Sequence, residues 1–518
     1  DSYGYQDDNI RTQWPWRDWV INAFNKNMHY DEFLTQQIAG DLMPNSNKET
    51  ILATAFWRNH KYTEEGGVIE EEYRVTNNID KTRTYGKAIL GVTIECAQCH
   101  DHKYDPFSAK DYYQLYGFFN ISKEKGYEGD VSVSTPAKTP KLYISAEDRK
   151  KLLTYINTKD TNTMEVSVMG DTIRPTYLLS RGRYDVLAEE VKPAALNSVM
   201  PFDTTKFERN RLGLAKWTVD KKNPLTARVF VNFIWQDIFG KGLVKTSGDF
   251  GLQGELPTHP ELLDWLAVNF RETGWDVKKL IKSMVMSKTY QQDSKASPEL
   301  MERDPENRML ARGPSARLTA EMIRDNALVA SDLINREIGG KSMYPYQPEG
   351  LWEINSHKYK QDTTQAIYKR SLYVVVKRSV PNPMMSTFDA TSRSSCLVRR
   401  QKTNTPLQAL VVLNDPTFLE ASKQMGIRMS KQSNLNASIK DAYVRLTGRE
   451  PQEGEINILV ELQKIEWAKF KKAPEKTKGW LSAGMSKIDL KEVDRPYVAS
   501  LAVVANTNMN SDATITKR

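Results

Sequence analysis

The chain has 518 residues, 39% of them hydrophobic and 27% charged, with a formal net charge of +8; this is the composition of an ordinary globular protein long enough for two or more cores. No apolar run reaches the about 18 residues of a membrane span, and three cysteines exclude a disulfide framework. Basic residues are spread among 65 acidic ones with no compact tract, so a solvated mixed-charge surface is favoured over nucleic-acid binding.

The opening Asp1-Ser2-Tyr3-Gly4-Tyr5 lacks the basic and apolar segments of a signal peptide, so an exported protein would be present here in a mature or trimmed form. Trp16, Trp19, Val20, Ala23 and Phe24 recur at helical spacing and predict a first amphipathic helix. Asp31 opens a second, with Phe33, Leu34, Ile38 and Leu42 inward and Pro44 at its end. A third follows Asn47. Gly66-Gly67 breaks the chain, and a long polar helix is expected from Val68 to Leu90.

The next stretch, Glu95 to Lys103, contains C-x-x-C-H. At this spacing Cys96 and Cys99 can each add to one vinyl group of a haem, with His100 as the proximal iron ligand. The same residues suit three rival roles. Cys96, Cys99, His100 and His102 could hold zinc or iron, although all four sit on one short loop where zinc sites usually combine two separated pairs. A redox dithiol is a second, but it wants a βαβ context, whereas the preceding sequence is helical. Two buried structural cysteines would leave the spacing unexplained. Asp105-Pro106 turns the chain, and Ser108 with Asp111 predicts a capped helix bearing Tyr112, Leu115, Tyr116 and Phe119 on one face.

From Asn120 to Pro201 the helical period is lost, and Met164 to Met169 and Thr176 to Leu179 read as strands. Helices return near Phe207. Asn223-Pro224 predicts a cap and first-turn proline, and His259-Pro260 a helix from Glu261 to Thr273. Asp276 and Thr319 predict further caps. Leu372, Val374 and Val376 predict a strand over Arg370 to Arg378, and three late helices cover Ile439 to Leu446, Glu453 to Phe470 and Tyr497 to Ala505. The expected fold is mainly α: a helical domain over 1–125 carrying the haem motif, a β-containing connector over 126–205 and a helical partner domain over 206–518.

The stretch Glu95 through Phe107 with Asp111-Tyr112-Tyr113 resembles the first domain of planctomycete-type cytochrome c proteins, which pair domains of unknown function 1549 and 1553. Asn223 through Val229, Asp249-Phe250-Gly251, Thr258 through Leu266, Arg399 through Leu410 and Leu413 through Pro416 resemble the second. Two departures stand out: the signal sequence and additional small cytochrome domain common in the family are absent from this chain, and the middle segment is short around Asn157 to Thr163. The resemblance implies export to the periplasm or cell surface and a role in redox or polysaccharide-related metabolism.

The candidate site is therefore Cys96 and Cys99 for thioether attachment and His100 for the haem iron. His102 is a lesser metal-ligand candidate, able instead to bond a haem propionate. Asp101 and Asp105 could hold a hard cation, though turn chemistry explains them as well. His29, His60, His259, His357 and the methionines are open as distal ligands, with His259 better explained as a helix start. Cys396 is the remaining thiol, with burial favoured over iron ligation. Arg399 and Arg400 could grip carboxylate or sulfate, although ordinary salt bridges account for them. The expected function is a c-type cytochrome-like redox protein, in electron transfer or oxidative chemistry, with an unidentified redox partner. The alternatives are a non-haem metal-binding or structural component of an exported glycan-processing assembly, in contact with anionic polysaccharide or protein partners, and a metal-dependent hydrolase. No standard hydrolase or nucleotide-binding motif supports the last.

Overall fold

The computed structural model describes residues 1–132, 134–355, 357–487 and 493–517. It is mainly helical, with strands only in two-stranded antiparallel pairs among the described residues. Three of these pairs lie in the middle of the chain, joining Tyr127–Gly129 to Ser134–Pro136, Lys141–Ile144 to Met164–Ser167, and Thr176–Leu179 to Leu187–Val191. No helix among the described residues is long and apolar enough to cross a membrane.

The first helix, Trp14–Asn25, buries Trp19 and Ala23 against Leu52 and Ala53, against Ile144 and Val166 of the second strand pair, and against Val168 just after it. The middle segment is thus docked onto the N-terminal helices by apolar burial. A larger core runs from Tyr30 through Phe119, Leu196 and Trp217 to Met284, so side chains before and after position 205 pack together. A separate core joins Ala320, Tyr373, Phe418, Leu501 and Ile515, and Ile21 of the first helix packs against it.

Polar contacts lock the N-terminal segment to the C-terminal half. Asp18 is fully buried and accepts from Gly340 N at 2.7 Å and from Arg17 at 2.9 Å. The Arg378 guanidinium donates to the carbonyls of Ser2, Tyr3 and His60. Asp8 accepts from the backbone and hydroxyl of Ser379 at 2.8 and 2.5 Å.

Several elements differ from expectation. The polar helix spans Glu70–Tyr85 and continues as a single π turn over Gly86–Leu90, ended by left-handed Gly91. Asn223 does not cap at Pro224: its side chain accepts from Leu225 N and Thr226 N and the helix begins at Thr226. The middle contains a helix, Ala146–Leu152, started by a reciprocal Ser145/Asp148 cap. The strand expected over Arg370 to Arg378 is absent. Ser371 N and Oγ both donate to Asp325 Oδ1 at 2.7 Å, drawing Ser371–Tyr373 into a tight turn. Beyond it, among the described residues, Met343 bridges Val374 and Ser2 N donates to Val376 O, single contacts from different segments that do not add up to a ladder.

Candidate functional site

The haem-motif turn is mounted by its neighbours before any cofactor enters the account. Glu95–Gln98 forms one 3-10 turn, and Cys99 N donates back to Cys96 O. Residues three apart on such a turn project from the same side, so Cys96 and Cys99 share a face. Both are free thiols and both are exposed. Arg83 of the polar helix donates to Gln98 Oε1 at 2.6 Å, and the Tyr113 hydroxyl donates to Gln98 O at 2.9 Å. The turn is therefore held from two helices.

His100 is exposed, and its Nδ1 lies 2.7 Å from Asp101 O. A carbonyl can only accept, so Nδ1 carries a proton and Nε2 is the nitrogen not engaged by this contact. His102, two residues on, is buried and uses the same nitrogen in the opposite role. Its Nδ1 accepts from Asp105 N at 2.9 Å, which puts its proton on Nε2. The two histidines are thus in distinct environments, and among the described residues no three His, Cys, Asp or Glu side chains converge as a metal-binding group. Asp101 Oδ1 accepts from Ala109 N at 2.8 Å, at the first turn of the helix Ala109–Asn120. The Ser108/Asp111 cap forms there as expected, and Tyr112, Leu115, Tyr116 and Phe119 are buried.

Asp105 fastens the loop to the second half of the chain. Its Oδ1 accepts from Leu252 N at 2.6 Å, while its buried Oδ2 has no hydrogen-bond donor among the described residues and lies 3.5 Å from His102 Nδ1. The contact needs a glycine, since a Cβ at Gly251 would sit 2.5 Å from the Asp105 carboxylate. Gly251→Ala is therefore expected to push the Asp249–Gly251 loop off Asp105, costing about 1–3 kcal/mol as overpacking. Faster hydrogen exchange at the Leu252 amide is the readout, and unchanged protection there counts against this docking. On the other side, Cys99 Sγ lies 3.4 Å from Arg181 O. Gly182, at φ +74, is the adjacent residue, where a Cβ would lie 3.2 Å from that sulfur.

The remaining candidates are dispersed. His29 precedes the helix Tyr30–Ala39, and His259 precedes the helix Pro260–Glu272 as expected. His357 Nε2 bonds Asp7 O at 2.8 Å. Arg399 donates to Lys245 O, and Arg400 Nη1 donates to both carboxylate oxygens of Glu321, at 2.9 and 2.8 Å. Cys396 is partly buried, and burial pushes its thiol up to about 11.

Two features had no sequence signal. One is a buried charge cluster around Glu124, whose carboxylate lies 3.3 Å from Arg58 Nε and 2.8 Å from His60 Nε2 and also pairs with Lys81. Burial lowers His60 below its usual value, opposed by Glu124, and lowers Lys81 to about 8. The other is a cleft of about 610 Å³. Its lining residues come only from positions 1–88 and 341–400, and Cys96, Cys99 and His100 are not among them. The polar helix connects the two places. Asp80, Lys81 and Thr84 line the cleft, whereas Arg83 faces the motif turn through Gln98.

Two family models match the chain: PSCyt2, a protein of unknown function (DUF1549), over residues 1–124, and PSD1, a protein of unknown function (DUF1553), over residues 210–463. No curated protein and no solved structure matches it. The motif turn lies inside the first match and the Asp249–Gly251 loop that clasps it inside the second, and the chain belongs to the planctomycete-type family that pairs these two domains.

Proposed function

We propose that this chain is an exported c-type haem protein acting in electron transfer or oxidative chemistry, with polysaccharide metabolism as its setting. The observation that carries the proposal is the motif turn: two exposed thiols on one face, followed by an exposed imidazole whose Nδ1 is committed to a backbone carbonyl. The donor set suits the group. Each thiol adds S–H across one vinyl C=C, forming a thioether with no oxidant required. His100 keeps its Nε2 free of that contact, and its Nδ1–H bond to Asp101 O fixes the orientation of the ring. Bound haem would supply one-electron redox chemistry. The protein's own part is to hold the turn rigid through Arg83, Tyr113 and the Ser108/Asp111 cap.

The test is an alkaline pyridine haemochrome spectrum of protein made in a host competent for cytochrome c maturation, with metal analysis of the same sample. A c-type reduced spectrum that survives acid–acetone extraction is the expected result. About one equivalent of zinc or iron without haem absorbance would overturn it in favour of a thiol–imidazole metal site. Metal-free protein whose two thiols cycle to a disulfide would overturn it in favour of a dithiol. His100→Ala is expected to keep the extraction-resistant pigment but lose its axial imidazole, seen as a changed Soret position that added imidazole restores. An unchanged spectrum would show that His100 is not the ligand.

A further inference from the structure

The cleft carries a second inference, independent of the haem. Its walls hold seven basic side chains against two acidic ones, Asp1 and Asp80. Some of that charge is cancelled locally: Arg17 pairs with Asp18, Arg400 with Glu321 and Lys81 with Glu124. The rest is not. Arg11, Arg378 and Arg393 all approach the single carboxylate of Asp1, at 3.5, 3.3 and 3.6 Å. Three guanidinium charges around one carboxylate leave a surplus of two. Lys341, exposed on the cleft wall, has no hydrogen-bond or ion-pair partner among the described residues.

Donors are also left unspent. Arg11 and Arg378 are at least nine-tenths buried, at 8% and 7% exposure, and the Nε–H of each lacks an acceptor among the described residues. The Trp16 indole N–H is likewise buried without an acceptor among them. Buried donors without partners are costly, about 1–3 kcal/mol each; all three belong to residues that line this cavity, with the N–H atoms themselves shielded from water, while Lys341 and Arg393 of the same corner are exposed. The remaining wall is aromatic. Trp14, Trp16, Phe56, Trp57 and Tyr344 line it, and Trp16 and Phe56 are only half-buried, which leaves ring faces open to the cavity.

We propose that this cleft is a binding site for an oxyanion-bearing ring compound, its carboxylate or sulfate held by the Arg11–Arg378–Arg393–Lys341 corner and its ring laid on Trp16 and Phe56. The site is composite. Arg11, Trp14, Trp16, Phe56 and Trp57 come from the PSCyt2 match, and Lys341, Tyr344, Arg378 and Arg393 come from the PSD1 match. Neither region can form it alone, which gives the pairing of the two regions in one chain a physical reason. The volume of about 610 Å³ is that of an ordinary small-molecule site. The cleft and the motif turn share the helix Glu70–Tyr85, so a ligand here would sit one helix away from Cys96 and Cys99.

Ligand-observed NMR titration of the full chain with three probes tests this: glucuronate, which has both oxyanion and ring, inorganic sulfate, which has only the oxyanion, and glucose, which has only the ring. Saturable binding is expected in the order glucuronate, then sulfate, with glucose not detected. The double variant Lys341→Glu/Arg393→Glu changes two exposed side chains and should leave the helical circular dichroism intact. It is expected to weaken glucuronate and sulfate at least about tenfold, the scale of one lost charged hydrogen bond. Trp16→Ala should weaken glucuronate and leave sulfate unchanged. No saturable response to either anion, or equal affinity in the double variant, overturns the site. Binding of sulfate unaccompanied by any preference for glucuronate overturns the ring half of the assignment. Because none of these readouts involves haem, they stand or fall separately from the pyridine haemochrome result.

Discussion

The double variant Cys96→Ser/Cys99→Ser is expected to retain no pigment after acid–acetone extraction, against full retention in the native sequence. Thioethers are the only covalent links the motif offers, so removing both sulfurs is an all-or-none change. Each single variant keeps one thioether, and its reduced pyridine haemochrome band should move toward that of haem with one unreacted vinyl group. The fold is not at stake in this comparison. Both thiols are exposed, and surface substitutions of this kind usually cost within about 0.5 kcal/mol. That separates covalent attachment from a structural metal. If the sulfurs held a zinc that staples the loop, the same variant would lose binding energy that is folding energy, on the order of 10 kcal/mol in small metal-dependent domains, and would unfold far earlier. Extraction-resistant haem in the double variant would end the assignment of Cys96 and Cys99.

Much of this scaffold is legible in the sequence because the signals are local. Ser108 and Asp111 lie three apart, and three apart is the geometry of the cap they form. The stripe of Tyr112, Leu115, Tyr116 and Phe119 needs only helical periodicity to be placed in the core. The same local logic extends to Ser145 and Asp148, whose cap starts a helix in the middle of the chain; there the short length and the surrounding strands hide it. What is not legible depends on distant partners. The segment Arg370 to Arg378 alternates like a strand, but Asp325 and Met343 decide its shape. Gly251 reads as a loop residue until Asp105 is brought against it. The cleft gathers residues from opposite halves of the chain, such as Arg11 and Arg378, whose charges carry no local pattern. Arg400, close to Cys396 along the chain, spends its guanidinium on Glu321.

Glu124 is the residue whose loss should cost the fold most for the smallest change in shape. It is buried, at 1% exposure, and faces Arg58, His60 and Lys81, with Asn77 Nδ2 at 3.5 Å. Burial alone would raise its carboxyl, but the Arg58, Lys81 and His60 charges outweigh that and hold it well below the usual range. Glu124→Gln keeps the volume and removes the charge, stranding at least two buried cations, and breaking such a pair typically costs about 3–5 kcal/mol. The penalty should depend on pH in a defined way. The native carboxyl remains ionised in the folded chain where the unfolded one takes up a proton, so its stabilising contribution is complete above about pH 4.5 and is lost as the pH falls further. The variant has no such group, and the difference between the two proteins narrows in acid. On the alkaline side Lys81, already lowered to about 8 by burial despite Glu124, loses its proton earlier still when the carboxylate is gone. The unfolded lysine keeps that proton, so the variant gains stability as the pH rises, and the difference narrows again. The urea midpoint of Glu124→Gln relative to the native chain should therefore show its largest deficit between about pH 5 and 7. A deficit that stays flat from acid through this range to alkaline pH would mean that packing rather than charge makes Glu124 necessary. Lys81→Met made together with Glu124→Gln gives the complementary result: removing the stranded ammonium as well as the carboxylate should recover part of the loss, because a buried pair replaced by apolar volume is often near neutral whereas half a pair is not.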